Sequence, residues 1–157
     1  MKKFLQFSGL IAAVLALAAF IFLLAGNGLV YTSGNVTLTV KGVEVIFGGD
    51  FNLAATALIG WILVLLCMLA LIAISVLPLL KINALDKFSG LITLCVAGLL
   101  IVAAILIFCS KAAFVGANSS LFNNYSLSFA FVFAGILCIF AGILAALPAC
   151  LNLLGKK

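Results

Sequence analysis

Residues that could carry out chemistry are few and widely spaced in this chain of 157 residues. Its only acids are Glu44, Asp50 and Asp86, and it has no histidine. Hydrolysis, phosphoryl transfer and metal chemistry need clustered carboxylates, histidine or an activated nucleophile. We therefore expect a protein that is not an enzyme and that binds no metal or cofactor.

The five cysteines do not change this expectation. Cys67, Cys95, Cys109, Cys138 and Cys150 fall in or beside apolar runs, and no Cys-x-x-Cys pair occurs. A disulfide framework would place cysteines in the polar loops, and a structural zinc site needs closely spaced pairs of ligands. The pattern favours cysteines that act as small apolar packing residues.

Four long apolar runs indicate the helices that position the rest of the chain. The chain is 68% hydrophobic and 7% charged, whereas soluble domains average about 45–50% apolar and about 25% charged residues. A helix that spans a bilayer needs about 20 mostly apolar residues. Runs of this kind, without Asp, Glu, Lys or His, cover residues 4–25, 54–80, 88–109 and 127–151. We predict an all-α membrane protein, a four-helix transmembrane bundle that forms a single domain over residues 1–157 and is surrounded by membrane lipid.

The lysines predict how the bundle is oriented, because cytoplasmic segments carry an excess of positive charge. With the N-terminus inside, the outer loops 26–53 and 111–126 hold only Lys41 and Lys111. The inner segments, including the short loop 81–87, hold Lys2, Lys3, Lys81, Lys87, Lys156 and Lys157. We expect a multi-pass protein of the cell membrane with both termini in the cytoplasm. The lysines form no basic stripe, so no nucleic-acid partner is expected.

The first outer loop has the alternation of a β-strand. Apolar and polar residues alternate over Val36–Val40, and a second run covers Val43–Phe47 after Lys41-Gly42, which suits a tight turn. The pattern predicts a small extracellular β-hairpin, or a three-stranded sheet if Leu29–Thr32 joins it through a turn at Ser33-Gly34. Its apolar face would shield the helix ends, against the second outer loop, or contact a neighbouring molecule. This predicted contact face consists of Val36, Leu38, Val40, Val43, Val45 and Phe47.

A row of small residues follows the fourth apolar run at every fourth position. Such residues let helix backbones approach closely in lipid. Each step turns the row by about 40° on an α-helix, so we predict that it contacts two neighbouring helices or crosses one at a right-handed angle. It could serve packing within one chain or the formation of a homo-oligomer. The row consists of Ser126, Ala130, Ala134, Cys138, Gly142, Ala146 and Cys150.

This arrangement of four spans, cytoplasmic ends, a short inner loop and a long β-structured first outer loop resembles the claudin and peripheral-myelin-protein tetraspan superfamily. The resemblance covers the whole chain and is architectural. The family signature of Trp, Gly-Leu-Trp and two cysteines is absent from residues 26–53, and the one tryptophan, Trp61, lies in the second run.

The resemblance implies a structural, adhesive or accessory-subunit role, with another membrane protein or a second copy as partner. Two other functions stay open: a channel or transport subunit that forms a pore only as an oligomer, and a lipid-binding membrane protein.

Overall fold

The computed structural model describes residues 2–77 and 89–154, with side chains in 7–77 and 89–151. The predicted inner loop 81–87, with the adjoining Pro78, lies outside these residues. Within them, four helices are long and apolar enough to cross a membrane. The elements in chain order are α1 (Lys2–Ala25), β1 (Asn27–Ser33), β2 (Val36–Lys41), α2 (Gly42–Phe47), α3 (Ala55–Val76), α4 (Ser89–Phe108), α5 (Ser110–Ala117), a 3-10 helix (Ser120–Asn124), β3 (Ser126–Leu127) and α6 (Phe129–Leu154). The predicted fold class is confirmed, and by length and composition the chain is a multi-pass membrane protein.

The long helices pack as a ring in which α1 and α4 each contact both α3 and α6. Small residues lie at these contacts. A Cβ atom added at Gly9 of α1 would lie 2.7 Å from the Ser75 hydroxyl of α3, and one at Gly142 of α6 would lie 3.1 Å from the Ala97 carbonyl of α4. The bundle therefore depends on close backbone approach, as expected for helices that associate in an apolar solvent.

The sheet forms between the two segments that connect the spans at one end of the bundle. In the described part of the chain its strand order is β2-β1-β3, with both pairings antiparallel. Ser33 pairs with Val36 and Tyr31 with Leu38, so the hairpin turn lies at Gly34-Asn35. Gly34 has a φ of 58°, in the left-handed region that glycine adopts without strain. The three-stranded sheet is confirmed, but the predicted hairpin between 36–40 and 43–47 is wrong.

Residues 42–47 form the short helix α2 instead of a strand. Val45 and Ile46 are both fully buried, whereas consecutive residues of a strand point to opposite faces. The Lys41 amide donates a hydrogen bond of 3.2 Å to the Glu44 carboxylate, which stabilises the first turn.

The predicted contact face is consequently divided between two elements and does not form one surface. On β2, Val36 and Leu38 are exposed while Val40 is buried. On α2, the exposed residues are Val43 and Phe47, whereas Val45 is buried.

The second connecting segment is more ordered than a polar loop. It begins with α5 and ends with β3, which pairs with β1 through Leu29–Leu127 and Val30–Ser126. The β-structure thus contacts this segment through the pairing of β1 with β3. The first residue of the predicted small-residue row, Ser126, lies in β3 and not in α6.

Candidate functional site

The candidate functional site is the cap, which we define as residues 26–54 and 110–128. It contains the sheet, α2, α5 and the 3-10 helix, and it lies at the end of the bundle opposite the first residues of α1 and the last residues of α6. All of its residues lie outside the four candidate spans. The cap is therefore the part of the described chain whose position suits contact with other molecules in water.

Gly42 makes a close contact between the cap and the bundle. Its amide donates a hydrogen bond of 2.8 Å to the Gly26 carbonyl, directly after α1. A Cβ atom at Gly42 would overlap the Leu23 carbonyl and lie 3.1 Å from the Phe131 ring of α6. The start of α2 is thus pressed against the first and last spans, where no side chain fits.

The two cap segments are joined by hydrogen bonds next to α6. The Ser128 amide donates to the Gly28 carbonyl at 3.0 Å, and its hydroxyl donates to the Asn27 carbonyl. The Ser126 hydroxyl donates to the Val30 carbonyl at 3.1 Å. These side-chain bonds extend the short pairing between β3 and β1, so the two segments form one structural unit.

A second junction is the asparagine pair, Asn52 and Asn118. The Asn52 amide donates to the Asn118 side-chain oxygen at 2.6 Å, and the Asn118 side-chain nitrogen donates to the Asn52 carbonyl at 2.8 Å. The Asn52 side chain also donates to the Ala117 carbonyl at 3.0 Å. The Asn118 side-chain nitrogen also donates at 2.9 Å to the Phe114 carbonyl, which accepts the Asn118 backbone amide as well.

Replacing Asn118 with alanine removes three of these hydrogen bonds. At about 1 kcal/mol for each bond, and with a reduction for the partial exposure of the pair, we expect the free energy of unfolding to fall by about 2 kcal/mol. Thermal and denaturant unfolding in detergent micelles measure this loss. The matched control is Asn124→Ala, an exposed asparagine in the same segment. Equal losses in the two variants would contradict the role of the asparagine pair.

Aromatic side chains form a continuous row beneath these junctions. Phe51 and Phe122 meet edge to face at 5.2 Å between ring centroids, and both contact the buried Phe114. The row continues from Phe122 to Tyr125, which stacks on Tyr31 of β1 at 5.4 Å. Such pairs contribute about 0.5–1.5 kcal/mol each beyond burial. The row therefore connects the sheet, the 3-10 helix and α5 through one apolar interior.

Trp61 lies in a separate aromatic cluster at the start of α3. Its ring stacks on Phe20 of α1 at 5.2 Å and meets Phe47 of α2 edge to face at 5.0 Å. Its buried indole N–H has no hydrogen-bond acceptor within residues 7–77 and 89–151. Trp61 thus acts as packing between three helices.

Exposed apolar side chains remain on the cap although its interior is well packed. Leu121 of the 3-10 helix is 80% exposed, and Val36 and Leu38 of β2 are 58% and 49% exposed. Leu38 is the cross-strand partner of Tyr31, the last ring of the aromatic row. It therefore lies between that row and the free edge of the sheet. About half or more of each of these side chains stays in contact with solvent in a single copy of the chain.

The small-residue row of α6 lies against two different helices. Ala130 approaches Gly26, at the end of α1, so closely that a Cβ atom at Gly26 would overlap it. Further along, Gly142 contacts Ala97 of α4. Ala134, Cys138 and Gly142 are buried, Ala130 and Ala146 are half-buried, and Cys150 is exposed.

The residues that could carry out chemistry do not lie close together. Glu44 and Asp50 lie in the cap, while Asp86 lies outside the described residues. In the described part of the chain, no group of three or more Cys, Asp or Glu residues is close enough to hold a metal ion. Cys67 contacts α4, where its thiol lies 3.8 Å from the Val96 carbonyl.

Comparison with protein-family models, with curated proteins and with solved structures finds no match. The resemblance to the claudin and peripheral-myelin-protein superfamily therefore stays a prediction from architecture.

Proposed function

We propose that the chain is a non-enzymatic membrane protein with a structural, adhesive or accessory-subunit role, and that the cap makes its contacts. In this proposal the cap faces away from the cytoplasm and both termini are cytoplasmic, in the cell membrane. The distribution of lysine supports that orientation, since Lys41 and Lys111 are the only lysines of the cap segments.

The observation that carries the proposal is a well-packed cap with exposed apolar side chains. Two segments that are far apart in sequence are joined by strand pairing, the asparagine pair and the aromatic row. Val36, Leu38 and Leu121 nevertheless point into solvent. Val36 and Leu38 lie on the same face of β2, and contiguous exposed apolar side chains are typical of protein–protein contact sites.

Site-specific photocrosslinking in native membranes tests this function. A photoreactive amino acid at Leu121 is expected to give a discrete protein adduct, which the variant Asn118→Ala weakens because the cap is loosened. The matched control places the same group at Leu99, an exposed residue of the α4 span, where adducts with lipid are expected. Protein adducts from Leu99 but none from Leu121 would overturn the proposal.

Reconstitution in liposomes separates this role from a channel or transport subunit. The proposal expects no flux of ions or small solutes above that of empty vesicles, at protein densities that permit oligomers. The orientation is tested in intact cells. An impermeant thiol reagent should label Asn35→Cys, and a C-terminal tag should be inaccessible from outside the cell. Solute flux would contradict the proposed non-transport role. An accessible C-terminal tag would contradict the proposed orientation.

A further inference from the structure

Strand β2 forms a free edge of the sheet. In the described part of the chain the order is β2-β1-β3, so β2 has a strand partner on one side only. Its residues Val36 to Thr39 are all exposed. The opposite edge, β3, has only two residues. An exposed edge strand presents unpaired N–H and C=O groups and is suited to pairing with another strand.

Counting from the turn shows which backbone groups point outward. In a hairpin with a two-residue turn, the flanking pair exchanges both hydrogen bonds, and the pairs then alternate. The flanking pair here is Ser33–Val36, so Val36, Leu38 and Val40 direct their backbone groups toward β1. Thr37 and Thr39 therefore direct theirs toward the free edge.

Residues Val36–Val40 of β2 form a palindrome about Leu38, Val-Thr-Leu-Thr-Val. If a second copy of β2 lies antiparallel with its Leu38 opposite Leu38, then Val36 lies opposite Val40 and Thr37 opposite Thr39. Each pair of opposite residues is then of the same chemical type. Opposed threonines and opposed aliphatic residues are favourable cross-strand pairs.

The outward backbone groups agree with the same register. Thr37 and Thr39 of one copy meet Thr39 and Thr37 of the other, so both hydrogen-bonded pairs use groups that are free in the single chain. The charged residue of the strand, Lys41, falls opposite Asn35, and no two lysines oppose each other. The usual features that block an edge, a proline or a central lysine, are absent from Val36–Val40.

We infer that the partner of the β2 edge is a second copy of this chain, which adds its own β2 antiparallel with Leu38 opposite Leu38. This inference rests on the proposed function and names the partner. Pairing with a strand of a different protein would not require the palindrome of Val36–Val40 or the position of Lys41 opposite Asn35. The resulting sheet is continuous across the two copies and buries the exposed Leu38 side chains against each other.

Cysteine crosslinking tests the register directly. In the proposed register the two Leu38 residues form a non-hydrogen-bonded pair, whose Cα atoms lie about 4.5 Å apart. A disulfide accommodates this distance. The two Val36 residues are offset by four positions, or about 13 Å, which a disulfide does not span. The test uses a background in which Cys95, Cys109 and Cys150 are replaced by alanine. Mild oxidation in liposomes should convert Leu38→Cys to a covalent dimer. Because of the difference in distance, its yield should be about tenfold above that of Val36→Cys.

A backbone variant tests whether strand pairing is responsible. Thr39→Pro removes an N–H that the hairpin does not use, so the fold is retained while dimer formation of Leu38→Cys is lost. Thr39→Val keeps the N–H and should preserve the dimer. Unchanged Trp61 fluorescence in both variants shows that α2 keeps its contact with α3 through Phe47.

Equal crosslinking of Leu38→Cys and Val36→Cys, or no dimer from Leu38→Cys, would overturn this inference. If a different protein is crosslinked at Leu121 while Leu38→Cys gives no dimer, the proposed function survives and the homotypic pairing fails. Mixing differently tagged copies, in one vesicle population or in two, shows whether a dimer forms within one membrane or between two.

Discussion

Replacing Gly42 with alanine is expected to lower the free energy of unfolding by about 3 kcal/mol, the upper part of the range for overpacking a tight site. The added Cβ atom would overlap the Leu23 carbonyl and crowd the Phe131 ring. The Leu23 carbonyl belongs to the backbone of α1 and cannot shift without moving that span, and the Phe131 ring is fully buried. Detergent-driven unfolding measured by the emission of Trp61, the only tryptophan of the chain, provides the value.

Gly116→Ala is the matched control for this substitution. Gly116 lies in α5, and a Cβ atom there has nothing within 4 Å. Since alanine is preferred over glycine in a helix by about 0.5–1 kcal/mol, this variant should be slightly stabilised. The two substitutions add the same methyl group, so their effects should have opposite signs. Equal effects would show that Gly42 does not form a close contact.

Replacing Phe114 with alanine is expected to cost about 3–5 kcal/mol, as for other fully buried phenylalanines. Phe114 is completely buried and contacts Phe51 at 6.0 Å and Phe122 at 5.1 Å between ring centroids. Its loss leaves a cavity where both cap segments meet, so the cap should unfold before the bundle. Hydrogen exchange of the cap amides, compared with those of the spans, measures this separation.

Leu121→Ala provides the comparison for Phe114→Ala within the same cap segment. Leu121 is 80% exposed, and substitutions at such surface positions usually change stability by less than about 0.5 kcal/mol. Stability should therefore be retained in Leu121→Ala while the protein adduct expected at this position is weakened. A large loss of stability in Leu121→Ala would mean that this side chain is buried.

The bundle could be predicted from sequence because one property decides it. A run of about 20 apolar residues without charge has few alternatives to a spanning helix, and the four candidate spans follow the four apolar runs closely. The small residues also predicted close packing in general. They could not indicate that Ala130 approaches Gly26 while Gly142 approaches Ala97, since that depends on how four helices are arranged in space.

The predicted position of the hairpin is wrong because two short patterns compete at Lys41-Gly42. This dipeptide has the composition of a tight turn, and Val43-Glu44-Val45 continues the alternation of a strand. Ile46 was the residue that broke the alternation, and it is fully buried beside Val45. Gly42 is required by the close approach of Leu23, not by a turn. A contact across nineteen positions of sequence leaves no local signal.

The asparagine pair could not be found from sequence for the same reason. Asn52 and Asn118 are separated by 66 positions, and asparagine is common in polar loops for many reasons. The aromatic row shows the same limitation, since Phe51 and Phe114 belong to different connecting segments. Side chains that join the two segments become recognisable only when the bundle has brought the ends of the spans together.

The passage from α1 into β1 has a mechanical consequence for the cap. Only Gly26 separates the last residue of the first span from the first residue of the sheet, and Ser128, hydrogen-bonded to that strand, directly precedes α6. Helices adjust their tilt to the thickness of the surrounding bilayer. Because each junction is a single residue, we expect a change in the angle between the first and last spans to distort the sheet. The shape of the β2 edge should then vary with the thickness of the membrane.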